Sequence, residues 1–289
     1  MPIFIYNKNI NTHMEGIMIE FIKSELAQFN IDLISSLSLN DCEITRPYLL
    51  EKKEIKNGSV IIFAVPYFSD NQAEKSNISS YAISLDYHNF FESLFEKIIK
   101  NLEEKYPDNK FAGFTDHSPI NEIKAASKAG LGVIGKNNLL ITEKYSSFVF
   151  IGEVITDAIL TSNAKNIEYC INCGACISAC PVDMTIDKCL SSVTQKKSDL
   201  SEDEIALVKK HGCAWGCDIC QNVCPYTKKA IKNKTIYTSV DFFKSNRTPL
   251  LTTELINDMS EKEFKNRAYS WRGKKTILRN LQILEGKEK

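Results

Sequence analysis

Cysteine spacing is the feature that most constrains what this chain can fold into. Nine of its ten cysteines lie between residues 170 and 224, in two runs that each end in Cys-Pro. The two spacings are Cys170-x2-Cys173-x2-Cys176-x3-Cys180-Pro181 and Cys217-x2-Cys220-x3-Cys224-Pro225. In bacterial segments with the first spacing, three thiolates bind one [4Fe–4S] cluster and the fourth binds the neighbouring cluster. The spacing therefore predicts two [4Fe–4S] clusters and a role in electron transfer.

Zinc and disulfide bonds would require other patterns. A structural zinc site usually takes its ligands from two Cys-x2-Cys pairs and needs neither a third evenly spaced cysteine nor a Cys-Pro ending. Disulfides are typical of secreted chains, but the first residues lack the basic start and apolar run of a signal peptide. No stretch approaches the ~20 apolar residues of a membrane helix. We therefore expect a cytoplasmic protein with no membrane partner, whose thiols stay reduced.

The ligand count leaves an alternative open. A crossed arrangement divides seven of the cysteines between two clusters: Cys170, Cys173, Cys176 and Cys224 for the first, and Cys180, Cys217 and Cys220 for the second. The second cluster then needs a fourth thiolate, which either Cys189 or Cys213 can supply. Cys42 lies far from this region in the sequence and is expected to be a small buried hydrophobe.

Hydrophobic periodicity predicts the secondary structure before the cysteine runs. Amphipathic helices are expected at residues 17–29 and 86–104, and a continuous apolar run at 59–67 predicts a buried strand. Ser118 and Pro119 can begin a further helix that ends at Gly130. Shorter strands are expected at residues 110–115, 139–142 and 148–155.

These elements predict three segments. Residues 1–163 form an α+β domain with α/β-like alternation, and residues 164–230 form a ferredoxin-like domain with two clusters. Residues 231–289 form a mostly helical extension. Lys+Arg and Asp+Glu both total 36, so the net charge gives no global signal for nucleic acid. Basic residues are nevertheless concentrated after the second cysteine run and near the end of the chain: Lys228, Lys229, Lys232, Lys234, Arg267, Arg272, Lys274, Lys275 and Arg279.

A glycine motif at residues 130–135 has the letters of a dinucleotide-binding fingerprint. That fingerprint has physical meaning where a strand turns into a helix, because the helix N-terminus then faces the pyrophosphate. Here a predicted helix precedes the glycines and apolar, strand-like residues follow them. A phosphate-binding loop is also excluded, since Asn137 replaces the Ser or Thr that would hold magnesium. The glycines are instead expected to let the backbone approach a flat cofactor.

Several segments together resemble the epoxyqueuosine reductase family, whose members contain cobalamin and iron–sulfur clusters. The matching segments are Ser80-Tyr81-Ala82, Asp86-Tyr87-His88, Gly113 to Pro119, Ala129 to Asn137, Gly152-Glu153, the cysteine runs and Leu278-Arg279-Asn280. The same pair of clusters with cobalamin is also found in reductive dehalogenases. The family continues into helical repeats that help to bind tRNA, so this sequence is expected to be a short form.

The resemblance implies that the chain removes the epoxide oxygen from epoxyqueuosine in the tRNA anticodon. It implies two [4Fe–4S] clusters and cobalamin as cofactors, and a ferredoxin or flavodoxin as a low-potential electron donor. Asp116 matches the carboxylic acid that protonates the departing oxygen, although an Asp before Ser-Pro is otherwise a common turn residue. Cys189 matches a cluster ligand, while Cys213 has no counterpart. Asp116, Lys136, Asn137 and Ser191 are the implied cobalamin contacts.

Two alternatives compete with this function. One is a related reductase that uses the same cofactors on another small substrate. The other is a ferredoxin-like electron carrier without catalysis of its own. The first cluster cysteine, Cys170, is preceded by 169 residues, which is more than a carrier needs.

Overall fold

The computed structural model of the protein describes residues 16–69 and 75–287. Packing divides the chain into two compact units: unit one contains residues up to 66 together with 91–172, and unit two contains 67–90 together with the residues from 173 onward. The chain passes from unit two to unit one within helix α3 (Tyr87–Lys105). This division reflects packing alone. The three segments expected from the sequence, residues 1–163, 164–230 and 231–289, stay a prediction.

Unit one is built on an antiparallel sheet of four strands. In spatial order the strands are β1 (Leu33–Ser38), β2 (Ser59–Pro66), β6 (Val149–Thr156) and β3 (Phe111–Phe114). Every residue of β2 is buried, because this strand is paired on both sides and covered on both faces. A separate hairpin pairs β4 (Val133–Ile134) with β5 (Leu140–Ile141).

Helices cover both faces of this sheet. On one face α3 places its aromatic rings against backbone that carries no side chain: a Cβ on Gly113 would lie 2.3 Å from Phe95, and one on Gly152 would lie 2.6 Å from Phe91. On the other face α4 (Glu122–Lys128) packs small alanines against the core of the sheet. The remaining helices of unit one are α1, described over residues 16–27, and α2 (Pro47–Lys52).

Most elements expected for unit one are present, and the antiparallel sheet makes the unit α+β. The predicted start of α4 is wrong, because the helix begins at Glu122 and the side chain of Asn121 caps it by accepting the N–H of Lys124. Ser118 is instead buried and directs its hydroxyl to Glu153. The predicted strands at 139–142 and 148–155 lie in different sheets, and β1 was not predicted.

Unit two is built from short helices. From the first cysteine run onward these are α5 (Ala175–Ala179), α6 (Leu190–Thr194), α7 (Glu202–His211), α8 (Ile219–Asn222), α9 (Pro225–Lys232), α10 (Asp241–Lys244), α11 (Thr253–Asp258), α12 (Glu261–Lys265) and α13 (Lys274–Leu284). Trp215 and Tyr269 are fully buried in its largest apolar cluster, and α13 packs against α6, α7 and α11. The described helices are all too short or too polar to cross a bilayer.

Candidate cluster loops and active-site loop

The cysteines of the two runs lie in loops and at helix ends. Cys176 lies within α5 and Cys180 ends it, while Cys220 lies within α8 and Cys224 directly precedes α9. Pro225 is the first residue of α9, a position where its missing N–H costs no helical hydrogen bond. Because α5 packs against α8, unit two brings the two cysteine runs together.

The backbone around these cysteines fits iron–sulfur ligation. Asn172 and Gly174, which separate the first three cysteines, have φ of 54° and 76°, so the loop is tightly wound. The N–H of Met184 donates to the sulfur of Cys180 at 3.3 Å, and such donors stabilise cluster thiolates. None of the ten cysteines, all of which lie in the described residues, forms a disulfide bond. Within residues 16–69 and 75–287, no three His, Cys, Asp or Glu side chains converge as ligands of a single metal ion.

Cys189 and Cys213 have different surroundings. Cys189 lies directly before α6, and its charge and that of Cys220 both act on Cys217. The Cys213 thiol donates to the carbonyl of Gly216 at 2.9 Å, and burial raises its pKa to about 12. Because the Cys213 thiol keeps its proton and donates it to a carbonyl, it is not available as a thiolate ligand for iron. This geometry supports Cys189 as the fourth ligand, which stays a prediction.

Asn280 of α13 stabilises the two segments that lie next to Cys189 and Cys217. It is fully buried, and its Nδ2 donates to the carbonyl of Thr194 at 2.7 Å and to that of Ala214 at 2.8 Å. Thr194 in turn accepts the N–H of Gly216 on its hydroxyl at 3.0 Å. The amide therefore joins the end of α6, which follows Cys189, to the segment that leads into Cys217. Sequence reasoning noted the Leu278-Arg279-Asn280 motif but not this role.

Asp116 lies in a loop of unit one between β3 and α4. The residue is exposed and has φ of 57°, a left-handed conformation that a non-glycine residue adopts at a cost. Its N–H donates to Oε1 of Glu122 at 2.9 Å. On either side, Thr115 donates to the carbonyl of Ile151 at 2.8 Å, and Arg46 donates to the carbonyl of Ser118 at 2.9 Å. The loop thus presents a carboxyl group to solvent on an anchored backbone.

Two carboxyl groups lie beneath this loop. Glu153, on the central strand β6, is fully buried and accepts the hydroxyl of Ser118. Burial, followed by the charge of Glu122, raises the pKa of Glu153 well above its ordinary value. Burial and then the charge of Asp116 raise the pKa of Glu122 to about 7. Sequence reasoning missed Glu122 and noted Glu153 only as part of the Gly152-Glu153 match, although a glutamate inside the apolar run 148–155 was a signal, since buried carboxylates are rare.

Lys136 and Asn137 lie on the turn between β4 and β5. The N–H of Gly135 donates to the carbonyl of Leu139 at 2.9 Å, which closes the turn and leaves Lys136 exposed. The carbonyl of Ile134, on the strand before the turn, accepts the N–H of Cys170 at 3.0 Å. The order helix, glycines, hairpin is the predicted one and is the reverse of a dinucleotide-binding turn.

Ser191 belongs to unit two, whereas Asp116, Lys136 and Asn137 belong to unit one. It lies in α6, two residues after Cys189, and its hydroxyl accepts the side-chain amide of Gln195 at 3.0 Å. Its place beside a candidate cluster ligand agrees with a cofactor contact, but a contact with cobalamin stays a prediction.

The basic residues near the C-terminus divide into two groups. Arg267 donates to the carbonyl of Asn246 at 2.6 Å, and Arg279 donates to the carbonyl of Lys196 at 2.9 Å, so both guanidinium groups hold the fold together. The exposed group consists of Lys275 and the lysines on and after α9, namely Lys228, Lys229, Lys232 and Lys234.

Comparison with known proteins identifies the family. The model described as "Epoxyqueuosine reductase QueG, DUF1730" matches residues 54–117, and the "4Fe-4S double cluster binding domain" model matches residues 169–227. An epoxyqueuosine reductase from Gloeobacter violaceus is 32% identical over 217 residues, which are 71% of this chain and 68% of the relative. The chain belongs to the epoxyqueuosine reductase family.

Solved structures agree with this membership. The epoxyqueuosine reductase from Streptococcus thermophilus is 25% identical and superposes with a TM-score of 0.75, covering 94% of this chain and 81% of that one. An epoxyqueuosine reductase in complex with an epoxyqueuosine-modified tRNA-Tyr stem loop shares the fold, at 21% identity and a TM-score of 0.74, over 96% of this chain and 82% of that one. The chain is an oxidoreductase of this family with a double [4Fe–4S] domain.

Proposed function

We propose that this protein reduces epoxyqueuosine to queuosine in tRNA, with cobalamin as the reducing centre and the two clusters as its electron supply. The observation that carries the proposal is the anchored presentation of the Asp116 carboxyl group at residues matched by the family model. Bound cobalamin would supply a strongly reducing cobalt centre. The residues proposed to hold it are Asp116, Lys136, Asn137 and Ser191, whose polar groups suit the amide side chains of a corrin.

The reaction requires two electrons and two protons, which convert the epoxide to an alkene and one water molecule. Clusters of the [4Fe–4S] type deliver these electrons one at a time. Asp116 donates a proton to the oxygen that leaves, because epoxide opening places negative charge on that atom. The left-handed backbone at Asp116 and its contact with Glu122 orient the carboxyl group for this transfer.

The substrate nucleotide lies at the wobble position of an anticodon loop. Chemistry on a base requires the base to leave the stack, and single-stranded loops permit this at low cost. The exposed lysines on and after α9 are the groups proposed to contact the phosphates. The proposed electron donor is a ferredoxin or flavodoxin, and the cytoplasmic location stays a prediction.

The test is the conversion of an epoxyqueuosine-containing anticodon stem loop by anaerobically reduced protein with cobalamin, followed by analysis of the nucleosides. The proposal predicts queuosine, and none with a protein that lacks cobalamin. Absence of queuosine from protein with full clusters and cobalamin would contradict the proposal. That result would favour a reductase of another small substrate, whereas failure of the protein to bind added cobalamin would favour an electron carrier.

A further inference from the structure

We propose that Glu122 and Glu153 hold one proton between them beneath the Asp116 loop, and that the ionised form of Glu122 positions Asp116 through its backbone N–H. The part that concerns positioning rests on the proposed function of Asp116 as the acid. The shared proton does not, because it follows from the burial of Glu153, from its unpartnered oxygen and from the repulsion between the two carboxyl groups.

Glu153 is the deeper of the two groups. It lies on β6, between its neighbours Ile62 on β2 and Phe114 on β3, and has no exposed surface. One of its carboxyl oxygens accepts the hydroxyl of Ser118. The other, Oε1, is buried and has no hydrogen-bond partner in the described part of the chain. A carboxylate in this position would leave a negative charge without compensation, so the neutral acid is the stable form.

Glu122 connects this buried group to the loop. It is the first residue of α4 and is partly buried, and its Oε1 accepts the N–H of Asp116 at 2.9 Å. Its negative charge is one of the two causes that raise the pKa of Glu153. Two carboxyl groups that repel each other in a low-dielectric site retain a proton at pH values where separate groups would lose it.

Other ionisable groups face the pair. Arg46, which follows the Ile44 bridge to Ile120, lowers the pKa of Glu122 by its charge, whereas Asp116 raises it. Cys42 faces Glu153, and burial followed by the charge of Glu153 raises the pKa of this thiol to about 12. The thiol therefore remains protonated at neutral pH, and one arginine faces Glu122. The balance leaves the pKa of Glu122 at about 7, so its charge changes in the physiological range.

Protonation of Glu122 weakens the contact with Asp116. An ionised carboxylate accepts an N–H more strongly than a neutral acid does. Above pH 7 the contact is therefore strong and the left-handed conformation of Asp116 is held. Below pH 7 the contact weakens, and we expect the carboxyl group of Asp116 to lose its fixed orientation.

The activity test compares kcat at pH 6 and pH 8. In the wild type, kcat falls about tenfold at pH 6, because Glu122 is then mostly protonated. Glu122→Gln keeps an oxygen acceptor for the N–H but cannot titrate, so its kcat changes by less than about twofold over the same range. KM for the RNA is unchanged in this variant, since Glu122 does not reach the substrate. Glu51→Gln, an exposed carboxyl group on α2, serves as the control and keeps the tenfold fall.

A second measurement does not depend on the reaction. A carboxyl group whose pKa is raised by folding stabilises the protein fully below its unfolded pKa, and the stabilisation is lost as the pH rises through the folded value. For Glu122 this window lies between its ordinary pKa of 4.5 and about 7. The melting temperature of the wild type therefore declines over this window, and the decline is smaller in Glu122→Gln but unchanged in Glu51→Gln.

Infrared spectroscopy detects the shared proton directly. With carboxyl-labelled glutamate, the carbonyl band of a protonated acid is present at pH 8, where Glu122 is mostly ionised, and is absent at that pH in Glu153→Gln. Should Glu153→Gln fail to fold, Glu122→Gln decides the question. Without the charge of Glu122, the band of protonated Glu153 must disappear at a lower pH than in the wild type. A band and a melting profile that are identical in the wild type and Glu122→Gln would overturn the shared proton, even for an enzyme inactive on RNA. A tenfold fall in kcat that persists in Glu122→Gln would overturn the positioning role.

Discussion

Each of the two candidate functional regions depends on a fully buried polar side chain. The side chain is an amide in unit two and a carboxyl group in unit one. In unit two, Asn280 satisfies its hydrogen bonds with two carbonyls and with the guanidinium group of Arg279. In unit one, Glu153 satisfies one oxygen through Ser118, while its other oxygen has no hydrogen-bond partner in the described residues. The amide carries no charge at any pH, whereas the carboxyl group is titratable. A fully satisfied neutral group suits loops that must hold metal clusters rigidly, and a titratable group suits a loop where protons are transferred.

The largest effect that we expect is the loss of a cluster. Cys189→Ala removes a thiolate that no neighbour can replace without movement of α6, so the iron content falls from about eight to about four per chain. Cys213→Ala is the matched control and retains both clusters, because the Cys213 proton is already held by Gly216. Iron analysis after anaerobic reconstitution measures both. The reverse pattern would assign the fourth ligand to Cys213.

A smaller effect is expected when the amide support of unit two is removed. Asn280→Ala leaves the buried carbonyls of Thr194 and Ala214 without their donor and opens a cavity, at a cost of about 3 kcal/mol. Gln282→Ala, at an exposed position of the same helix, should cost less than about 0.5 kcal/mol. Denaturant unfolding gives both values. The loss in Asn280→Ala should be the same at pH 6 and pH 8, and a marked pH dependence would erase the contrast with Glu153.

The smallest effect concerns the RNA binding that is proposed for unit two. Lys228→Glu combined with Lys229→Glu should reduce the slope of log affinity against log salt by about 1.5, since each phosphate contact contributes about 0.7–0.9. Lys262→Glu combined with Lys265→Glu makes the same change of charge on exposed α12 and should leave the slope unaltered. Titrations of a labelled stem loop at several salt concentrations provide the comparison. Equal slopes in the two double variants would show that the lysines of α9 do not contact the RNA.

The elements that sequence alone could predict are those with strong local signals. The apolar run of β2 and the amphipathic pattern of α3 are direct consequences of burial, and both were predicted within a few residues. β1 was missed because its serines look polar, yet Ser35 and Ser36 satisfy their hydroxyls on the carbonyls of Ala129 and Thr161. These contacts span 94 and 125 residues, so no local pattern could reveal them.

The same reasoning applies to the functional loops. The cysteines of the two runs were predicted because their spacing is a local constraint, and Cys189 and Asp116 because of a resemblance to the family. Glu122 was not predicted, since its role depends on the left-handed turn that brings the N–H of Asp116 to its carboxylate. Ser118 was taken for a helix cap because its contact with Glu153 lies 35 residues away along the chain. Long-range partners of this kind become visible only in the folded structure.

One measurement tests most directly whether unit one performs the proton transfer while unit two supplies the electrons. Asp116→Asn keeps the shape of the side chain and removes its proton, and it touches no cysteine. Single-turnover conversion of the epoxyqueuosine stem loop should slow by about two orders of magnitude or more, with cluster content and cobalamin binding at wild-type levels. Turnover close to that of the wild type, in protein with both clusters, would contradict the account and leave Asp116 as a turn residue.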